Sequence, residues 1–193
     1  MKNWIIALVV IVLLALIVGG SYATIRNTMV TKSETVRSMW SEVDVDLQRR
    51  ADLIPNLVET VKGIAAQEQT VFKDIADARA ALMGAQNPKD KIAANGQLDG
   101  ALFRFLKITE NYPQLKSSEN FLKLQDELAG TENRIAVARK NYNDAIQDYN
   151  TYIQQFPNSM VASHAGFKRN DDYFQASEAS RAVPKVQFPA PTR

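Results

Sequence analysis

Residues 49–61 read RRADLIPNLVETV, and whether the chain turns or continues there decides its topology. Apolar residues flank Pro55 at helical spacing, yet an interior proline removes a donor and clashes with the preceding turn, at about 3 kcal/mol. One reading makes Asp52 an N-cap and sets Pro55 in the first turn of a new helix, where its missing donor matters little. The flanking segments then form a hairpin. The other reading is a continuous helix kinked at Pro55, a rod whose reversal comes at Gly84–Pro88. Rod length favours the kink, because such a rod can span the long helix further along. In both readings Asp52 and Pro55 mark a corner or kink; in the kinked rod, Arg49 and Arg50 sit beside the bend, Arg50 paired inward and Arg49 solvated.

Upstream, Met29, Val36, Trp40, Val43, Leu47 and Ile54 recur at steps of three, four and seven, the spacing of a helical face. Before them, Asn3 to Ile25 carries no charged residue, and WIIALVVIVLLALIV is almost wholly aliphatic or aromatic. A membrane span needs about 20 apolar residues, and this stretch meets that. Ser21-Tyr22-Ala23 also passes as a weak cleavage site for a signal peptide. With Lys2 as the leader's one basic side chain, retention as an anchor is the reading adopted. Orientation stays open, because Lys2 and the amino terminus stand against Arg26, Lys32 and Arg37.

Downstream, Val58, Val61, Ala65, Phe72, Ile75 and Leu82 mark a second helix, and Leu57, Ile64, Val71 and Ala78 widen its buried face. A shorter helix follows over Lys89–Thr109, where Gly96 and Gly100 each cost up to about 1 kcal/mol relative to alanine. Ser118 then caps the strongest pattern in the chain. Phe121, Leu128, Ile135, Tyr142, Tyr149 and Phe156 stand seven apart, beside a parallel row through Leu124, Thr131, Ala138, Ala145 and Tyr152. Such heptads argue coiled-coil-like packing. No strand-like alternation appears.

The predicted fold is therefore all-α, an N-terminal transmembrane helix followed by an antiparallel bundle of long helices. The anchor covers 1–25 and the bundle 26–157, with helices about 24–52, 55–83, 89–109 and 118–155. Residues 158–182 form a docked C-terminal segment and 183–193 a Pro-rich flexible tail.

Composition excludes several chemistries. The chain has no cysteine and one histidine, His164, so thiolate nucleophiles, histidine triads and multi-histidine metal centres are out. Its 23 basic and 21 acidic residues form no block that calls for nucleic acid. Five charged residues fall on or beside buried stripes: Arg50, Glu68, Arg79, Glu132 and Arg139. Each is costly to desolvate alone, so burial requires pairing. The plain reading is a structural polar core that fixes helix register. The sharper one is a carboxylate site, but dimetal bundles want Glu-x-x-His pairs, and the interleaved arginines oppose a cation. No catalytic, metal or cofactor residue is assigned, no cofactor is expected, and no small-molecule substrate is identified. Trp40, the tyrosines at 142, 149 and 152, and Asn141 and Asn143 are read first as packing or solvated residues.

The run WSEVDVDLQRRADLIPNLVETVKGI from Trp40, and ENYPQLKSSENFLKLQDELAGTENRIAVARKNYNDAIQDYN from Glu110, resemble the two conserved blocks of the LemA family. FP at 156–157 and YF at 173–174 are similar to its usual endings. The resemblance spans about residues 22–176. It implies a small bacterial membrane-associated protein with an N-terminal anchor and an antiparallel helical bundle, and no established enzymatic activity. Relatives with a lipobox-type cysteine after the apolar segment imply an extracytoplasmic domain, whereas other single-pass relatives are read as facing the cytoplasm. Here Gly19-Gly20-Ser21 stands at that place, so acylation there is impossible.

The functional expectation is a non-enzymatic membrane-anchored scaffold of the bacterial envelope, single-pass in the cytoplasmic (inner) membrane, with the extracytoplasmic side favoured for its bundle. It is expected to form a homo-oligomer and to meet other envelope proteins. A membrane-linked sensory module, switching between two helix registers, is the alternative. A hydrolase using Glu68 or Glu132 is the third reading.

Overall fold

The helix that begins in the apolar N-terminal stem continues through Pro55 into the bundle as one element. The computed structural model describes residues 2–63 and 67–175. In order these form α1 (Lys2–Lys62), α2 (Gln69–Gly84), α3 (Pro88–Thr109), α4 (Pro113–Lys116), α5 (Glu119–Gln154) and α6 (Asn158–Ala165). Among the described residues there is no strand, and the all-α class stands. The expected Ile64 and Ala65 row positions, residues 176–182 of the docked segment and the 183–193 tail lie outside the described residues.

The 61 residues of α1 make a rod of about 90 Å at roughly 1.5 Å per residue. Its first part is long and apolar enough to cross a membrane, and that part buries nothing within the chain. From Trp4 to Val18 its large side chains are all exposed. The boundary expected at residue 25 is not a break in the helix. Nor does a helix end at Asp52: α1 passes through Pro55 and stops at Lys62.

Both sequence readings of that corner need correction. The chain reverses between α1 and α2, then again at 85–87, so α1 and α2 are antiparallel neighbours and not one rod. The periodicity hides this turn because Leu57 and Val61 before it, and Ile75 and Ala78 after it, all enter one core. Pro55 is tolerated for a local reason. Its missing N–H leaves the carbonyl of Ala51 without the usual partner four residues on. Arg79 of α2 fills that place, its Nε donating to Ala51 O at 2.8 Å.

Pairs along the helices fix their directions. Lys32–Asp148, Asp46–Arg134 and Arg50–Glu132 set α5 antiparallel to α1. Arg104–Asp74 and the Phe72–Phe105 ring contact set α3 antiparallel to α2. The four long helices thus alternate in direction, and α2 and α3 flank the half of α1 farther from the stem. Val43, Leu47, Ile54, Leu57, Ile75, Leu98, Phe105, Phe121, Ile135 and Ile146 form the shared core, each 2 % exposed or less.

Caps end the elements where sequence chemistry asks. Asn87 accepts from Asp90 N at 2.9 Å with Pro88 in the first turn of α3, and Ser118 caps α5. Gly96 and Gly100 do not break α3, because Leu98, Ala101, Leu102 and Phe105 bury its other face, and tertiary packing outweighs propensity. Gly166 has φ +80° at the end of α6, a left-handed cap that glycine adopts without strain. One core expectation fails. Phe156, the last heptad position, is 83 % exposed, because α5 ends at Gln154 and Pro157 redirects the chain.

Candidate functional site

Where α1, α3 and α5 meet, four charged side chains converge in the middle of the bundle. Arg50 of α1 is buried. Its Nη1 bonds Asp99 Oδ1 of α3, lies 2.9 Å from Glu132 Oε2 of α5, and is 3.5 Å from Asn95 Oδ1. Asn95 Nδ2 donates to Asp99 Oδ2 at 3.0 Å, and Arg139 Nη2 reaches the same oxygen at 3.4 Å. Arg139 Nη1 is 4.0 Å from Glu132 Oε1. Two guanidiniums face two carboxylates, so the cluster is formally neutral, which is what burial demands. It is not closed: the side chains of Asp99 and Glu132 are 36 % and 44 % exposed. Arg50 Nε, Arg139 Nε and Glu132 Oε2 are buried without a hydrogen bond.

Of the polar residues singled out by spacing, Arg50, Glu132 and Arg139 come together here. Glu68 and Arg79 do not meet each other. Glu68 precedes α2, and its Oε1 accepts from the Tyr112 hydroxyl at 3.1 Å, while Arg79 serves Ala51 as described. Asp52 and Pro55 are both exposed on α1. Asp99 and Asn95 were missed. Asn95, Leu98, Leu102 and Phe105 stand three, four and three apart, a signal diluted by the glycines between them.

Beside the cluster lies a second polar arrangement, in the segment expected to dock, held by asparagine clamps that helical spacing does not show. Residues 167–175 run along α5 as a strap held by its side chains. Asn150 Oδ1 accepts from Asn170 N at 2.9 Å, and its Nδ2 donates to Asn170 O at 2.6 Å and to the Tyr173 hydroxyl at 3.0 Å. Asn143, two turns earlier, clamps Phe174 in the same way, with both bonds at 2.9 Å. Tyr149 donates its hydroxyl to Lys168 O at 2.9 Å. The Phe174 ring stacks on Trp40 at 6.2 Å, meets Tyr142 edge-on at 6.0 Å, and lies 5.2 Å under the Arg139 guanidinium. The strap is thereby joined to the charge cluster through one side chain. Burial pushes the Tyr142 phenol up to about 12, with the Asp172 carboxylate adding to it. Burial raises Tyr149 too.

On another face of the α1–α5 pair, a groove of about 740 Å³ is lined by Ser41, Glu42, Val45, Arg134, Val137 and Asn141. Val45 and Val137 stand exposed there.

Chemically, the cluster is suited to holding helices together. The guanidiniums occupy carboxylate oxygens that a cation or substrate would need. His164 stands apart from them, its ring against Tyr22 at 6.1 Å.

Comparison with known proteins agrees with these elements. A model of the LemA family matches residues 39–188, a span holding both the cluster and the strap. The chain is 30% identical to magnetosome protein MamQ 2 of Paramagnetospirillum magneticum, over 90% of this chain and 73% of that protein. It is 28% identical to MamQ of Magnetospirillum gryphiswaldense, over 79% and 65%. It is 26% identical to protein LemA of Metamycoplasma hominis, over 83% and 73%. With most of its length matched by the family model, this chain belongs to the LemA family.

Proposed function

We propose that this protein is a non-enzymatic, membrane-anchored scaffold of the bacterial envelope that self-associates. Its α1 crosses the cytoplasmic (inner) membrane once, and its bundle stands on the extracytoplasmic side. The observation that carries this reading is the continuity of α1, one helix from apolar stem to bundle core. A post of that kind holds a rigid surface at a fixed distance from the bilayer. Pairing within the charge cluster supports a role for its carboxylates in packing and not in catalysis. The chain has no native cysteine, so one cysteine at Val45 or Val137 can report neighbours. A bifunctional maleimide applied to cells should trap a homodimer or a complex with other envelope proteins. A full-length protein that stays monomeric and traps nothing from either position would end the scaffold reading. Labelling of Phe103→Cys by an impermeant maleimide in intact spheroplasts tests the facing side.

A sensory role is the second reading, and one observation favours it. The stem and Arg50 belong to the same helix, so rotation or sliding of the stem would be felt at the charge cluster. Replacing Arg50, Asp99, Glu132 and Arg139 together by apolar residues separates the two readings. A scaffold keeps its assembly, while a switch locks in one state.

A further inference from the structure

We propose that the corner between α5 and α6, with Phe156 and Met160 at its surface, is a foot that seats in the headgroup layer of the bilayer. This rests on the reading of α1 as a membrane span. Height along α1 is the first argument. Trp4 and Tyr22 bracket the apolar stem and are separated by about 27 Å of helix, close to the roughly 30 Å of a hydrocarbon core. Aromatic residues at the ends of a span settle at headgroup level. Tyr22 therefore marks the interface on the bundle side, and its ring contacts that of His164 in α6. The foot is at the bilayer surface by construction.

Its chemistry fits that position. From Tyr149 to Phe167 the chain carries no Asp, Glu, Lys or Arg, so no fixed charge has to be desolvated there. α6 turns Asn158 and Ala162, one helical turn apart, into the bundle and leaves Met160 between them pointing away, 66 % exposed. Phe156 is 83 % exposed although the heptad row assigns it to the core. Charged residues stand only at the margins: Arg26 follows the stem, Asp148 pairs with Lys32 ahead of the run, and Lys168 follows α6 beside Arg169, which pairs with Asp171. An uncharged surface with two exposed apolar side chains, held at headgroup level with Arg26 and Lys168 at its edge, suits a lipid interface.

The test uses the full chain in vesicles of phosphatidylcholine and phosphatidylglycerol, with a nitroxide on one introduced cysteine. Met160→Cys and Phe156→Cys probe the foot, Ile11→Cys probes the stem, and Phe103→Cys probes an exposed apolar site on α3. The reading is the ratio of relaxation by oxygen, which partitions into lipid, to relaxation by a water-soluble nickel chelate. The foot labels should show a ratio several-fold above that of Phe103→Cys and below that of Ile11→Cys. A lipid-like Ile11→Cys with foot labels equal to Phe103→Cys overturns the foot and leaves the anchor standing. Foot labels shielded from both agents would mean that protein, a second copy or a partner, covers this surface, and would also overturn it. A water-like Ile11→Cys removes the anchor, and the foot with it.

Discussion

Arg79 donates to the one backbone carbonyl that Pro55 leaves without its helical partner, that of Ala51. Ala51 is fully buried, so the carbonyl has no ready access to water. An unsatisfied buried acceptor costs about 1–3 kcal/mol, and Arg79→Ala should destabilise the folded protein by that amount. In a Pro55→Ala background the new N–H can serve Ala51, and the same Arg79→Ala change should cost at least about 1 kcal/mol less. Thermal unfolding of the four proteins, followed by circular dichroism in detergent, measures the coupling. Equal costs in both backgrounds would mean that Arg79 acts through packing or charge alone.

The charge cluster predicts an asymmetry between single and combined changes. Arg50→Ala leaves Asp99 and Glu132 sharing Arg139 and opens space in the core. Loss of one partner from a buried pair costs about 3–5 kcal/mol, and partial exposure of both carboxylates lowers the expectation here to about 1–3 kcal/mol. Combining Arg50→Met and Arg139→Met with Asp99→Asn and Glu132→Gln removes all four charges but keeps most of the volume. That quadruple variant should be less destabilised than Arg50→Ala. Urea denaturation checks the order, and a quadruple variant less stable than the single would contradict it.

How far such features can be read from sequence depends on whether they are periodic. Phe121, Ile135, Tyr142 and Tyr149 are buried and stand on a seven-residue repeat, because packing against a neighbouring helix imposes one. Arg50 is visible on the same grounds, as a charge on an apolar stripe. The reversal between α1 and α2 is not, since the residues on either side of it feed one core and keep helical spacing across it. Asp99 lies outside its helix's apolar row and gains its role only from Arg50, far away in sequence. Asn143 and Asn150 stand seven apart, each one residue after a core tyrosine, but the strap that they clamp has no period of its own.

Tyr142 makes the fold sensitive to alkali. Its phenol is pushed up to about 12 by burial, with Asp172 contributing, whereas an unfolded tyrosine titrates near 10. A proton held more tightly in the folded state contributes stability that is complete below the unfolded value and is lost as pH rises through the folded one. Stability should therefore fall between about pH 10 and 12, by about 2–3 kcal/mol from this residue. Tyr142→Phe should flatten that part of the profile. Unfolding measured at several pH values, with phenolate absorbance as a parallel record, decides it. An unchanged slope in the variant would assign the loss elsewhere.

Asn143 and Asn150 bind the strap through its backbone, so its attachment depends on them more than on the identity of the residues clamped. Asn150→Ala removes two hydrogen bonds to Asn170 and one to Tyr173. At about 1 kcal/mol net for each, opening of the strap should become about 10- to 100-fold more frequent. Trypsin can cut after Lys168 and Arg169, and where opening and closing are faster than cleavage the rate follows the open population. Cleavage there should accelerate by a similar factor while the helical signal of the bundle stays intact, because the core of α1 and α5 is not touched. Asn143→Ala loosens the other end, where Phe174 also packs on Trp40, Tyr142 and Arg139, so its effect at Lys168 should be smaller. If both variants were cut no faster than the unaltered protein, the aromatic contacts alone would hold the strap, and the asparagine clamps would contribute nothing measurable to it.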